Sequence, residues 1–148
     1  ASKAFLLQRD GDIVDLDGVS NPEFQFLPDG FYYLVLDHRN HLSTMTAIPL
    51  YFDKSGGITL DFRDSNFPLF GFNPSKVVGT QSFLFSGDAN GDDQVQVVDL
   101  VNYWVKNVGA SGYQNADWNL DGQVQNIDFI NYWIPNAGRG SQVPGKAL

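Results

Sequence analysis

The sequence contains no cysteine and a single methionine. The absence of cysteine excludes a disulfide framework, a thiol nucleophile and a zinc or iron–sulfur site built on thiolates. No apolar run approaches the roughly 18 residues that a membrane-spanning helix needs, so we expect no membrane span. Basic residues are also few, 9 against 17 acidic ones, and the net charge is −8. Nucleic-acid-binding chains normally carry the opposite sign, so we expect no nucleic-acid partner.

The apolar content, by contrast, is ample for a folded protein. Of the 148 residues, 43% are hydrophobic and 14% are aromatic. Disordered chains are poor in aromatic residues and rich in charge, so the composition excludes that class. The length fits one ordinary domain or two small ones.

Residues 1–86 contain short apolar runs that end at Gly, Pro or Asp. The run Phe31–Asp37 is rich in aromatic and β-branched residues and is therefore typical of a strand. Short strands at spacings of about 8 to 12 residues indicate a small β-sandwich. We therefore predict an all-β N-terminal domain over residues 1–86 and a second domain over residues 87–148.

The second part carries an internal repeat. Residues 88–99 read Asp-Ala-Asn-Gly-Asp-Asp-Gln-Val-Gln-Val-Val-Asp, and residues 117–128 read Asp-Trp-Asn-Leu-Asp-Gly-Gln-Val-Gln-Asn-Ile-Asp, with an offset of 29 residues. Each copy is followed by an apolar segment containing Asn-Tyr-Trp, with a pattern typical of a helix. Agreement at so many positions indicates two copies of one structural unit.

Oxygen-bearing side chains recur at alternate positions of each twelve-residue loop. Calcium takes six to eight oxygen ligands and prefers carboxylates and carbonyls, whereas magnesium demands octahedral geometry and suits such a loop less well. The alternative is a pair of Asp/Asn-rich surface turns without metal. We predict two Ca²⁺ ions, one per loop, and we expect Val95 and Val124 to form an antiparallel bridge between the loops. The expected ligands are Asp88, Asn90, Asp92, the carbonyl of Gln94 and Asp99 in the first loop, and Asp117, Asn119, Asp121, the carbonyl of Gln123 and Asp128 in the second.

The two loops differ at the sixth position, where a sharp turn favours glycine. The second loop has Gly122 there, but the first has Asp93. A left-handed backbone is strained for a residue with a side chain. We therefore expect Asp93→Gly to tighten calcium binding to the first loop by about 1 kcal/mol or less.

The duplicated Asp-x-Asn-x-Asp loop that ends in Asp, with one helix after each copy, resembles a dockerin over residues 87 to about 138. The resemblance implies a small α module with two calcium loop–helix repeats. It also implies a non-catalytic, extracellular protein that docks onto a cohesin-like partner. The segments Leu6–Asp12 and Tyr32–Leu42 resemble the β-modules, called X-modules, that precede such repeats in secreted bacterial proteins. That second resemblance implies an immunoglobulin-like N-terminal sandwich.

The dockerin resemblance also implies where a partner binds. Contacts in the family come from the tenth and eleventh loop positions and from the following helix. The residues expected to contact a partner are Val97, Val98, Tyr103, Asn126, Ile127 and Tyr132. The remaining apolar residues of the helices lie at core-like spacing; they are Leu100, Val101, Trp104, Phe129, Ile130 and Trp133.

Other functions have less support in the sequence. His38 and His41 are the two histidines, but residues three apart on a strand point to opposite faces, unless Asn40 begins a turn. No nucleophile–base pair is recognisable, so we expect no enzyme. Two alternatives stay open. One is a calcium-stapled structural stalk without an external partner. The other is carbohydrate binding by a platform of Tyr32, Tyr33, Tyr51 and Trp118.

Overall fold

The computed structural model describes residues 1–54 and 56–145. These residues form four separate two-stranded antiparallel sheets, in which β1 pairs with β2, β3 with β6, β4 with β5 and β7 with β8. The strands are β1 (Leu6–Leu7), β2 (Ile13–Val14), β3 (Gly30–Tyr32), β4 (Val35–His38), β5 (His41–Met45), β6 (Leu50–Phe52), β7 (Lys76–Val78) and β8 (Gln81–Phe83).

The strands β3 to β6 form a nested pair of hairpins. The inner hairpin joins β4 to β5 through the two residues Arg39 and Asn40, and its register shifts between Leu36 and His38. The outer sheet, β3 with β6, encloses it and brings the rings of Phe31 and Tyr51 into tilted contact at a centroid distance of 5.1 Å.

Two short helices follow the two acidic loops. The first helix, α1, covers residues 97–107 as an α-helical turn Val97–Asp99, a wider π-helical stretch Leu100–Trp104 and a final α-helical turn Val105–Asn107. The second helix, α2, covers residues 128–136 as a π-helical stretch Asp128–Trp133 and a 3₁₀ turn Ile134–Asn136. Pro135 lies at the start of that 3₁₀ turn and has no N–H to continue the hydrogen bonding of the preceding stretch. Within the described residues, no helix is long and apolar enough to cross a membrane.

The predicted fold class, an immunoglobulin-like sandwich followed by a two-repeat helical dockerin module, is wrong. The strands contain two to five residues each, and in the described part of the chain every sheet has only two strands. The pattern of short apolar runs located several strands, but such a pattern carries no information on which strands pair. The apolar residues among positions 58–62 do not form a strand either. Two packed sheets therefore do not arise from residues 1–86.

The buried core lies mainly in the second part of the chain. Its members surround the two loops and include two residues from before position 87, Leu42 and Phe85. Leu100, Tyr103, Trp104 and Phe129 pack against this core from the helices. The buried residues of this core cluster are Leu42, Phe85, Ala89, Val95, Ala116, Trp118, Val124 and Trp133. The boundary between residues 86 and 87 stays a prediction.

Candidate functional site

The first acidic loop folds around the carboxylate of Asp88. Its two oxygens accept hydrogen bonds from the backbone N–H groups of Gly91 at 2.8 Å, Asp92 at 3.2 Å and Asp93 at 2.8 Å. In the second loop the carboxylate of Asp117 accepts the equivalent bonds from Asp121 at 3.1 Å and Gly122 at 2.9 Å. The first aspartate of each loop therefore closes the same turn.

The last aspartate of each loop closes it from the other side. One oxygen of Asp99 accepts the N–H groups of Ala89 at 2.8 Å and Asn90 at 3.2 Å, and the other accepts that of Gln96 at 2.7 Å. Asp128 accepts the equivalent three N–H groups at 2.8 to 3.1 Å, from Trp118, Asn119 and Gln125. The repeat in the sequence is thus a repeat in hydrogen bonding.

The middle positions of the loops bond to one another through their side chains. The amide of Asn90 donates to the carboxylate of Asp92 at 2.8 Å, and Asn119 donates to Asp121 at 2.9 Å. Asp92 and Asp121 are exposed, whereas Asp88, Asp99, Asp117 and Asp128 are buried. Gln94 is half-buried, and Gln123 is exposed.

The buried carboxylates lie in an unfavourable electrostatic environment. Burial raises the pKa of Asp88 and the hydrogen bonds donated by the loop N–H groups lower it, while the negative charges of Asp99 and Asp92 raise it; the net result is a pKa of about 6. Burial likewise raises the pKa of Asp99 and Asp128. In the described part of the chain no Lys or Arg forms an ion pair with Asp88, Asp99, Asp117 or Asp128. The loops therefore concentrate negative charge without a cationic side chain to offset it.

The donor set suits calcium, but its present arrangement does not form a complete ligand shell. Among the described residues, no group of three or more His, Cys, Asp or Glu side chains is placed to hold a metal ion. The carboxylates instead face the N–H groups of their own loops. Both loops offer carboxylate, amide and carbonyl oxygens, the ligand types that calcium prefers. The ten predicted ligands fit the ion by chemistry, and their assignment stays a prediction.

The expected bridge between Val95 and Val124 is wrong. Val95 donates its N–H to the carbonyl of Arg139 and accepts from Gly138, while Val124 exchanges backbone bonds with Gly109 and Ala110. Each loop is therefore closed by the segment that follows the helix of the other loop. The two side chains still share one core, where both are fully buried.

The β4–β5 hairpin reaches both loops, which the sequence did not predict. The side-chain amide of Asn40 donates to the carbonyls of Asn115 at 3.1 Å and Asp117 at 2.7 Å. The backbone N–H of Ser43 donates to the carboxylate of Asp93 at 2.9 Å. Residues of a hairpin carry no sequence signal of partners 50 to 77 positions away, so these contacts could not be predicted from the sequence.

The hairpin contact gives Asp93 a role beyond the turn. Asp93 has a left-handed backbone, with φ of 64°, and its side chain is buried against Ser43. Asp93→Gly would relieve the strain, but it would leave the N–H of Ser43 without this charged acceptor, at a cost of about 1.5 to 3 kcal/mol. We therefore expect Asp93→Gly to lower the free energy of unfolding by about 1 kcal/mol, even where calcium binds more tightly.

Urea unfolding with calcium in excess measures this change. Asp93→Asn is the matched control, because an amide oxygen can still accept from Ser43 and Asn tolerates the left-handed region. We expect Asp93→Asn to retain more stability than Asp93→Gly. A Gly variant more stable than the wild type would show that backbone strain outweighs the hydrogen bond.

The helices leave part of their apolar surface uncovered. Val97 is 65% exposed, and Val98, Asn126, Ile127 and Tyr132 are also exposed. Tyr103, by contrast, is half-buried and packs on the core. The expectation that Val101 and Ile130 lie in the core is wrong, because they are 48% and 54% exposed. Trp133 is buried, as expected, and Leu100, Trp104 and Phe129 are partly buried.

The aromatic residues of the expected carbohydrate-binding platform do not share one surface. Trp118 is 1% exposed, so it cannot join a sugar-stacking surface with Tyr33 and Tyr51, which are exposed.

His38 and His41 face each other across the hairpin turn, with their Nδ1 atoms 3.0 Å apart. Burial, together with the nearby charge of Arg39, lowers the pKa of both rings, and that of His41 falls to about 3. Both rings are therefore neutral near pH 7.

Comparison with protein families, with curated proteins and with solved structures finds no match to this chain.

Proposed function

We propose that this chain is a calcium-dependent, non-catalytic docking protein that acts outside the cell and binds a cohesin-like module. The proposal concerns the two acidic loops and the helices that follow them, and it does not include the predicted sandwich-plus-module architecture. Calcium would supply the positive charge that the loops lack. Residues 88–99 would hold one ion and residues 117–128 the other.

The observation that carries the proposal is the matching arrangement of buried carboxylates in two loops 29 residues apart. Asp88 and Asp117 close the start of each loop and Asp99 and Asp128 close its end, and each accepts hydrogen bonds from backbone N–H groups at matching loop positions. Burying an unpaired carboxylate costs several kcal/mol unless a counter-charge compensates it. Two loops with the same buried carboxylates at the same positions are difficult to explain as surface turns that bind no cation.

The exposed faces of the two helices support the proposal that the chain binds another protein. Val97, Val98, Val101 and Val105 form one apolar stripe on α1, and Ile127, Ile130 and Ile134 form another along and just before α2. Contiguous exposed apolar residues with polar surroundings are typical of surfaces that bind another protein. The loops would set the positions of both stripes, because each helix begins where its loop ends.

Capture on immobilised cohesin modules from the same genome tests the proposal. We expect the chain to bind at least one module in calcium and to be released by a chelator. A variant carrying Asp88→Asn and Asp117→Asn should fail to bind, whereas Asp29→Asn, which changes an exposed carboxylate elsewhere, should bind normally. Absence of binding to every module in calcium, or binding that a chelator leaves unchanged, would contradict the proposal.

A second candidate is a calcium-stapled structural element without an external partner. It is favoured by the contacts of Asn40 and Ser43 with the loops and by the presence of Leu42 in the core, since these join the hairpin to the repeat. Under this alternative, calcium would stabilise the chain, but no cohesin module would bind it. The capture experiment combined with thermal unfolding therefore separates the two.

A further inference from the structure

The turn of the β4–β5 hairpin brings together the two histidines of the chain. His38 and His41 occupy opposed positions across the two-residue turn, so the opposite-face argument for neighbouring strand residues does not apply to them. Their rings meet edge to face, with centroids 4.8 Å apart and an interplanar angle of 77°. The two Nδ1 atoms point at each other at 3.0 Å.

A third donor atom joins them from Asn40. The side-chain nitrogen of Asn40 is committed to the carbonyls of Asn115 and Asp117, which determines which end of the amide is the oxygen. That oxygen, Oδ1, lies 2.8 Å from Nδ1 of His41. Asn40 is fully buried, so its amide cannot turn to water.

The three atoms have more lone pairs than protons. A neutral imidazole nitrogen carries either one hydrogen or one lone pair. When Nδ1 of His41 accepts from His38, its lone pair faces the lone pairs of Asn40 Oδ1. When it donates to Asn40, the lone pair of His38 Nδ1 is left beside that same hydrogen. In the first arrangement no hydrogen lies between His41 Nδ1 and Asn40 Oδ1, and in the second a single hydrogen is shared by two acceptors, whereas a cation between the three atoms would contact all of them.

We propose that His38, His41 and Asn40 bind a divalent transition-metal ion of the kind that prefers imidazole, with Zn²⁺ as the representative. Two imidazole nitrogens bound tetrahedrally to zinc, at about 2.0 to 2.1 Å each, lie about 3.3 to 3.4 Å apart. The observed 3.0 Å between the two Nδ1 atoms needs to widen by only a few tenths of an ångström. Such an ion prefers nitrogen ligands, whereas calcium prefers oxygen, so the site differs in chemistry from the acidic loops.

The charged groups around the turn act in opposite directions. Asp37 precedes His38 and its negative charge favours a bound cation, whereas the positive charge of Arg39 opposes one. The guanidinium of Arg39 is held elsewhere, 3.9 Å above the ring of Tyr113 and bonded to the carbonyl of Gln114. His38 is half-buried, so the turn is not closed off from solvent.

Titration of the full chain with Zn²⁺ in excess calcium tests this inference, because calcium competes for the acidic loops. We expect one zinc ion per chain by calorimetry, and visible absorption of a nitrogen-ligated ion when Co²⁺ replaces Zn²⁺. His38→Gln should weaken zinc binding at least tenfold. Val35→Gln, which places the same side chain at an exposed position of the same strand, should leave it unchanged.

The ring-proton NMR signals of the two histidines provide a test that needs no variant. We expect both sets to shift together as Zn²⁺ is added and to stop shifting at one equivalent. Absence of zinc uptake in excess calcium would overturn the inference. Zinc uptake that His38→Gln leaves unchanged would also overturn it, because the ion would then lie elsewhere on the chain. Neither result depends on whether the chain binds a cohesin-like partner.

Discussion

Removal of calcium is expected to lower the melting temperature of the chain by about 10 to 20 °C. A ligand present at 100 times its dissociation constant stabilises the fold by about 2.7 kcal/mol per site, so two sites contribute about 5 kcal/mol. For a chain of this length, 1 kcal/mol shifts the melting temperature by roughly 2 to 4 °C. The physical reason is the repulsion among buried carboxylates such as Asp88 and Asp99, which no basic side chain of the described residues pairs with.

Calorimetric scans with calcium and with a chelator measure this shift. Asp88→Asn should remove about half of the calcium-dependent stabilisation, because it affects one loop and leaves the other intact. Asp29→Asn, which removes the same charge at an exposed position, should retain all of it. Identical melting profiles with and without calcium, together with no calcium by elemental analysis, would reject calcium binding by these loops.

Docking is expected to depend more on the start of the first helix than on the start of the second. Changing Val97 and Val98 to Asp should weaken binding to a cohesin-like partner by about 2 kcal/mol or more, roughly a thirtyfold loss of affinity. The two valines are exposed apolar side chains, and desolvated apolar anchors usually carry more binding energy than amides such as that of Asn126. The same double change at Asn126 and Ile127 should therefore matter less.

The chain offers a matched control for these variants. Val77 and Val78 are also adjacent exposed valines, but they lie on β7, away from the helices in sequence. Changing both to Asp should leave docking unaffected. All three variants must keep their calcium content and helical circular dichroism. Equal losses at the two helices would reject the preference, and no loss when all four helix positions are changed would reject docking through this face.

The local structure of the two acidic loops could be predicted from the sequence. The bonds of Asp88 to Asp93, and of Asp99 to Gln96, join residues at most five positions apart, so residue spacing is enough to predict a closed turn. The helices after each loop were predictable for the same reason, because their apolar period is local. The side of each helix that stays exposed was not predictable. Val101 and Ile130 share the apolar pattern of their neighbours, yet the core covers other residues.

The sequence by itself determined the two acidic loops, their register and the helices that follow, because these depend on residues close together along the chain. Only the tertiary structure decided which strands pair and that no sandwich forms in the described residues. It also decided that Asn40 bonds to Asp117 and that His38 faces His41 across a turn. These contacts depend on how separate segments pack, and that packing balances burial and hydrogen bonding over the whole chain, which residue spacing cannot express.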